Sequence, residues 1–383
     1  MTLDLLQPAA PALRRHRRAA LPALGGFCTA IALTLAAAVG AGPAAAQTPA
    51  ARSLPEAPLV DAATRQLVTE VEAASDAAAG VAGVVRGPMR CTWAGGSITL
   101  DRREALDAAT MRTIASAPQV FVFAHGLDIV AYGPTSQSQA DAAWRRISDR
   151  VRSRVADAAI CVPALDTLAG VGGEQDHLTR LFTALQLLRG PTSAPVVVAG
   201  HSMGGIYVKH AVVQSSLAMS TLAASRGMWG RPRLSAVYLA TPHQGAVAAT
   251  GAVVGGNIGA FAGDLACALL DSPDCGLNRA ARQIAGLVDV PATRQLQAGS
   301  PFLLRLERDA VAVLTGDATN VLSVNGLGTA DVVVTESANR TAMPRTRWTA
   351  IPGQTHSGFL DPQSTPGYAA WLDESLGLAS SSR

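Results

Sequence analysis

The chain has 383 residues, of which 49% are hydrophobic and 15% charged. That is enough apolar material for one large domain or two small ones, and it excludes a disordered chain. The formal net charge of +3 belongs to the N-terminus: cleavage after Ala46 removes four of 31 basic and one of 28 acidic residues, leaving 27 of each. A neutral body gives no electrostatic footing for nucleic acid, and no such partner is expected.

Arg14, Arg15, Arg17 and Arg18 precede an apolar stretch from Ala19 to Val39, then Ala44-Ala45-Ala46. Basic, apolar and small-residue segments in that order predict a secretory signal over residues 1–46 and a secreted or periplasmic protein. The alternative is an uncleaved anchor, since the apolar stretch is nearly long enough to span a bilayer. After cleavage no integral membrane segment is expected. Residues 47–60 read as a flexible lead-in, 61–378 as the folded body and 379–383 as a tail.

Cys91, Cys161, Cys267 and Cys275 follow the signal, an even number in an exported chain, so two disulfides are expected. Three pairings are open. The close spacing of Cys267 and Cys275 suggests a local loop, which would leave Cys91 for Cys161. With no paired C-x-x-C, a zinc site is not expected.

Leu67, Val68 and Val71 at helical spacing predict a helix over Asp61 to Ala79, and Ser97 to Leu100 reads as a short strand. Asp101 to Ser116 reads as a second helix. Gln119 to Ala124 is a clear strand, running into His125-Gly126-Leu127-Asp128. Gln139 to Ala156 places Trp144, Ile147, Val151 and Val155 on one helical face; Arg145, Arg146, Arg150, Arg152 and Arg154 read as a solvated outer face. Ala158 to Val162 is the next strand, and Asp176 to Arg189 a helix stopped by Gly190-Pro191. Gly170-Val-Gly-Gly lacks the preceding strand and third glycine of a dinucleotide site.

The apolar run Val196 to Ala199 predicts a buried parallel strand. It stops at Gly200-His201-Ser202-Met203-Gly204 before a helix-like continuation from Ile206. A bare G-x-S-x-G recurs by chance in a Gly- and Ser-rich chain. The strand before it and the helix after it make it a nucleophile elbow, a sharp turn that lifts a serine hydroxyl above the sheet. Leu234 to Ala240 is a further strand ending in Thr241-Pro242-His243-Gln244-Gly245. Regular alternation then fails until the last two strands, Asn320 to Val324 and Arg345 to Ile351. Gly328-Thr-Ala-Asp331 lies between these strands and Gly353-Gln-Thr-His356 follows the second; Pro366 to Leu376 reads as a terminal helix.

Gly-His-Ser-Met-Gly-Gly at 200–205 and Leu-Ala-Thr-Pro-His-x-Gly at 239–245 resemble the α/β-hydrolase superfamily, in its bacterial secreted lipase and esterase branch. The second run is also similar to the inositol-deacylase group. The resemblance implies a mostly parallel central sheet with helices on both faces and a cap insertion between strands six and seven. By residue match it implies a triad in the order Ser202, Asp331, His356, with oxyanion donors at the amides of Leu127 and Met203. Asp309, Asp317 and Asp361 are the rival acids, out of order for that triad. His125 is expected to hold the loop where the oxyanion donors begin, and His243 to be structural, packed near the nucleophile. The cap would span residues 246–300, with Ile258, Phe261 and Leu265 lining an acyl pocket.

The implied activity is hydrolysis of a small-molecule or lipid carboxylic ester, with transient contact at a lipid interface. No metal or organic cofactor is required by this chemistry. Asp264, Asp271 and Asp274 stay open as calcium ligands or solvated loop residues. An acyltransferase or thioesterase would use the same triad, and a non-catalytic binding scaffold would keep the sheet without needing it.

Overall fold

The structure, a computed structural model, describes residues 88–100, 108–127, 135–167, 170–171, 175–190, 193–226, 233–246, 291–315, 321–331 and 333–378. The signal segment, the lead-in, the tail and the helix expected over Asp61 to Ala79 lie outside them.

Eight strands pair among the described residues: β1 (Met89–Trp93), β2 (Gly96–Leu100), β3 (Val120–Ala124), β4 (Ala159–Pro163), β5 (Val196–His201), β6 (Leu234–Leu239), β7 (Leu322–Gly328) and β8 (Thr346–Ile351). Their order is β2-β1-β4-β3-β5-β6-β7-β8. The five junctions from β4 to β8 are parallel, while β1 runs antiparallel to both neighbours. Helices fill the connections: α1 (Ala108–Ser116), α2 (Gln137–Arg154), α3 (Gln175–Arg189), α4 (Met203–Arg226), α5 (Pro291–Gln295), α6 (Pro301–Leu314), α7 (Glu336–Asn339) and α8 (Tyr368–Ser375). This is the layout expected of the α/β-hydrolase fold.

The central strands are apolar on both faces because both are covered. Val120, Val122, Val196 and Val198 enter one core with side chains from α1, α3, α4 and α6. Phe121, Phe123, Val197 and Ala199 enter the other with α2 and α8. There Phe123 stacks on Trp144, with ring centroids 4.7 Å apart. Ser136 starts α2 through a reciprocal capping box with Gln139.

Three elements differ from the sequence reading. β1 was not expected, and it joins the β2 hairpin to β4. β7 runs to Gly328 rather than ending at Val324. Its weak strand formers are tolerated because Gly326 leaves room for the Trp371 ring, which an added Cβ would meet at 2.5 Å. The stretch expected to be irregular before Thr319 contains α6, capped by Ser300 with Pro301 behind it and burying Leu303, Leu306, Ala310 and Leu314.

The arginines of α2 are also more than a solvated face. Arg150 grips Asp373 of α8 through two hydrogen bonds of 2.6 and 2.7 Å, and Arg154 reaches the same carboxylate at 3.2 Å. Arg146 pairs with Asp361. The helix thereby fastens the C-terminal segment onto its face of the sheet. No helix among the described residues is long and apolar enough to cross a membrane.

At the other end of the sheet Cys91 and Cys161 face each other across β1 and β4, with Cα atoms 4.0 Å apart, and form a disulfide. Cys267 and Cys275 lie outside the described residues. The bridge closes a span of 70 residues and both cysteines are fully buried, so it restricts the unfolded chain while tying down an edge hairpin. Replacing both cysteines by serine is expected to cost about 2–4 kcal/mol in urea unfolding. An unchanged midpoint and slope would show the covalent link to be dispensable.

Candidate active site

Only Ser202 separates the end of β5 from the start of α4. Its backbone is left-handed, φ 54°, a conformation that costs a residue with a side chain about 1–2 kcal/mol. Two features hold the turn. The Ser202 N–H donates to the Leu239 carbonyl of β6 at 2.8 Å, extending the β5–β6 ladder through the bend. The flanking glycines permit backbone contact: a Cβ on Gly200 would lie 2.5 Å from the Gly204 carbonyl oxygen, and one on Gly204 would lie 2.2 Å from that of Ala124. The helix starts at Met203, earlier than the expected Ile206, because tertiary contact at Gly204 and Gly205 overrides their poor helix propensity.

The contact at Ala124 sets the end of β3 against the elbow. Beyond it, the Leu165 amide donates to His125 Nε2 at 2.9 Å, so the ring proton sits on Nδ1, which donates to the Gly126 carbonyl at 2.9 Å. His125 thus ties the exit of β3 to the exit of β4. The amides of Leu127 and Met203 donate no hydrogen bond to another described residue.

Asp331 and His356 come from the turns after β7 and β8. His356 Nδ1 donates to Asp331 Oδ2 at 2.9 Å, and the two side chains are 2% and 0% exposed. The other carboxylate oxygen, Oδ1, accepts from the amides of Val333 and Val334 at 2.8 and 2.9 Å. A buried carboxylate is tolerable here because both oxygens are engaged. The turns are joined as well: Thr329 donates to Ile351, and Ala330 to Gln354, both at 3.1 Å through backbone groups. Gln354 Oε1 in turn accepts from the hydroxyls of Ser364 and Thr365 at 2.8 and 2.9 Å. Next to Ser202 in the chain, the His201 ring lies 4.8 Å from that of His356.

The rival acids are engaged elsewhere: Asp309 pairs with Arg308 and Asp361 with Arg146. Asp317, the proposed acyl-pocket residues Ile258, Phe261 and Leu265, and Asp264, Asp271 and Asp274 lie outside the described residues. Among the described residues flanking that stretch, the Ala246 amide donates to the Leu296 carbonyl at 2.8 Å. His243 is buried edge-on to Tyr238, centroids 4.8 Å apart, and is not part of the Asp331 pair. Burial, reinforced by Lys209, lowers its pKa well below the usual value.

Asn339 is a residue that sequence reasoning missed. Its amide donates to the Thr241 carbonyl at 3.0 Å and to Asn325 Oδ1 at 3.1 Å, while its oxygen accepts from the Trp348 indole at 2.9 Å. It links the segments following β6 and β7 to β8. No spacing or motif announces an asparagine of this kind.

No family model and no curated protein sequence matches the chain. Among solved structures, a carboxylesterase of the thaumarchaeon Nitrososphaera gargenis is similar at 13% identity and TM-score 0.38, covering 69% of this chain and 91% of its own. A Bacillus licheniformis lipase is similar at 17% identity and TM-score 0.42, covering 68% and 93%. A Paleococcus ferrophilus monoacylglycerol lipase is similar at 12% identity and TM-score 0.36, covering 68% and 95%.

Burial lowers the pKa of His201 to about 3 and of His210 to about 4, against an ordinary 6.5. The unfolded chain therefore binds more protons below pH 6.5 than the folded one, and the stabilisation is complete only above that pH. Urea midpoints are expected to fall steadily as pH drops from 6.5 towards 4. A midpoint that rises on acidification over this window would contradict the neutral assignment of these rings.

Proposed function

We propose that the chain is a serine hydrolase of the α/β-hydrolase superfamily acting on carboxylic esters, of the secreted lipase and esterase kind. The observation that carries this reading is the buried hydrogen bond from His356 to Asp331, at the edge of the sheet where β5 delivers Ser202. Such a bond fixes the imidazole tautomer, leaving Nε2 bare to take a proton.

In the proposed reaction Ser202 Oγ attacks the ester carbonyl carbon while His356 Nε2 takes the hydroxyl proton. Asp331 orients the ring and stabilises its imidazolium form. Negative charge collects on the carbonyl oxygen, and the amides of Leu127 and Met203 are the donors assigned to it in this reading. His356 then passes the proton to the alkoxide as the carbon–oxygen bond breaks, releasing alcohol and leaving an acyl-serine. Water, deprotonated by the same nitrogen, attacks the acyl carbon; the serine leaves with the proton and the acid is released.

The N-terminal signal pattern and the Cys91–Cys161 disulfide support an exported enzyme. Ser202, His356 and Asp331 are all among the described residues; the acyl pocket is assigned to the insertion at 246–300 from sequence alone. Substrates are accordingly small or lipid esters, with chain length set by that insertion.

Ser202→Ala is expected to lower kcat on short p-nitrophenyl esters by several orders of magnitude without changing the melting temperature. Asp331→Asn should cost about three to four orders of magnitude, since an amide no longer selects the required tautomer. Wild-type turnover by purified Ser202→Ala would defeat the assignment.

A further inference from the structure

The reaction above gives no part to the residue between Gly200 and Ser202. His201 closes β5, and its side chain is buried, with the residue 4% exposed. Its Nε2 lies 2.8 Å from the main-chain oxygen of His356. A carbonyl oxygen only accepts, so Nε2 carries the proton and donates it. Nδ1 is then bare and faces Gly126, where an added Cβ would come within 3.3 Å of it. The same ring lies 4.8 Å from that of His356, tilted by 51°. One side chain therefore touches the exit of β3 and the loop after β8, while its own backbone leads directly into Ser202.

We propose that His201 is a positioning residue for His356: its Nε2–H, donated to the His356 main-chain carbonyl, sets where the imidazole stands relative to Ser202. The inference rests on reading Ser202, His356 and Asp331 as a triad. Asp331 holds His356 by its side chain, which leaves the ring free to swing with its own backbone. The bond from His201 holds that backbone. With both in place the imidazole is fixed at two ends, and one of the fixings is covalently continuous with the serine it must reach.

The charge state suits this role. The ionisable groups acting on His201 are His356, Asp331 and His125; the two histidines disfavour a charge on it and Asp331 favours one. Burial is the largest influence and lowers the pKa to about 3, so the ring stays neutral at ordinary pH. A neutral ring does not repel the imidazolium that forms on His356 during attack. Burial that lowers its pKa so far makes the bare Nδ1 a poor proton acceptor at ordinary pH, so it does not replace His356 as the base.

The test compares three substitutions. His201→Gln places an uncharged N–H donor near the position of Nε2, His201→Asn carries the same group on a shorter arm, and His201→Leu has no donor. Each is assayed for kcat and KM on a short p-nitrophenyl ester, for melting temperature, and for the downfield proton NMR signal of His356 Nδ1–H, which requires no turnover. His201→Leu and His201→Asn are expected to lose about tenfold to a hundredfold in kcat with KM little changed, and to broaden the signal. His201→Gln is expected to restore both towards wild type.

Wild-type kcat and an unchanged signal in His201→Leu would overturn the proposal. So would a His201→Gln protein as impaired as His201→Asn, because reach would then be irrelevant. If His201→Leu fails to fold, the contrast between Gln and Asn still decides. If wild-type protein hydrolyses no ester, it is the triad reading that fails, and the NMR contrast alone decides whether His201 holds the His356 loop.

Discussion

The left-handed turn at Ser202 is the constraint that the surrounding structure serves. It is a costly conformation for a residue with a side chain, and it persists because neighbouring backbone determines it on two sides. β6 receives the Ser202 amide, and the exit of β3 lies against Gly204 so closely that no side chain fits between them. The location of one hydroxyl is thereby set by the register of β3, β5 and β6. That register is held in turn by packing on both faces of the sheet, Phe123 on Trp144 on one side and Val198 among the α3 and α4 side chains on the other.

Parallel strands carry four distant parts of the chain to one edge of the sheet. β3, β5, β7 and β8 all run the same way, so the segments carrying Leu127, Ser202, Asp331 and His356 leave the sheet at one edge. Short connections alone would not give an imidazole a defined position. The backbone bonds between the turns after β7 and β8, the three-fold engagement of the Asp331 carboxylate, and the Asn339 bridge supply that definition. The opposite edge has a different task. There the antiparallel β1 and β2 are held by the Cys91–Cys161 bridge, away from the site, where rigidity has no cost to chemistry.

Much of this was legible in the sequence, and for identifiable reasons. Val196 to Ala199 and Val120 to Phe123 are strands buried on both faces, which leaves an unbroken apolar run that few other structures produce. The order of Ser202, Asp331 and His356 was implied by the family resemblance rather than read from the residues, and the structure adds the bond between His356 and Asp331. β7 was read short because Asn325, Gly326 and Gly328 look like a turn until Trp371 is seen filling the space above Gly326. The grip of Arg150 on Asp373 could not be read, since the partners lie 223 residues apart and nothing local distinguishes that arginine from Arg145. The bond from His201 to the His356 backbone was equally hidden, because a main-chain acceptor leaves no mark in sequence.

The most direct measurement is covalent labelling of purified protein with a fluorophosphonate, followed by peptide mass spectrometry. The account predicts one adduct per chain, on Ser202, forming rapidly in wild type and far more slowly once His356 is replaced by alanine. Labelling at another serine, or labelling of Ser202 at a rate indifferent to His356, would contradict it.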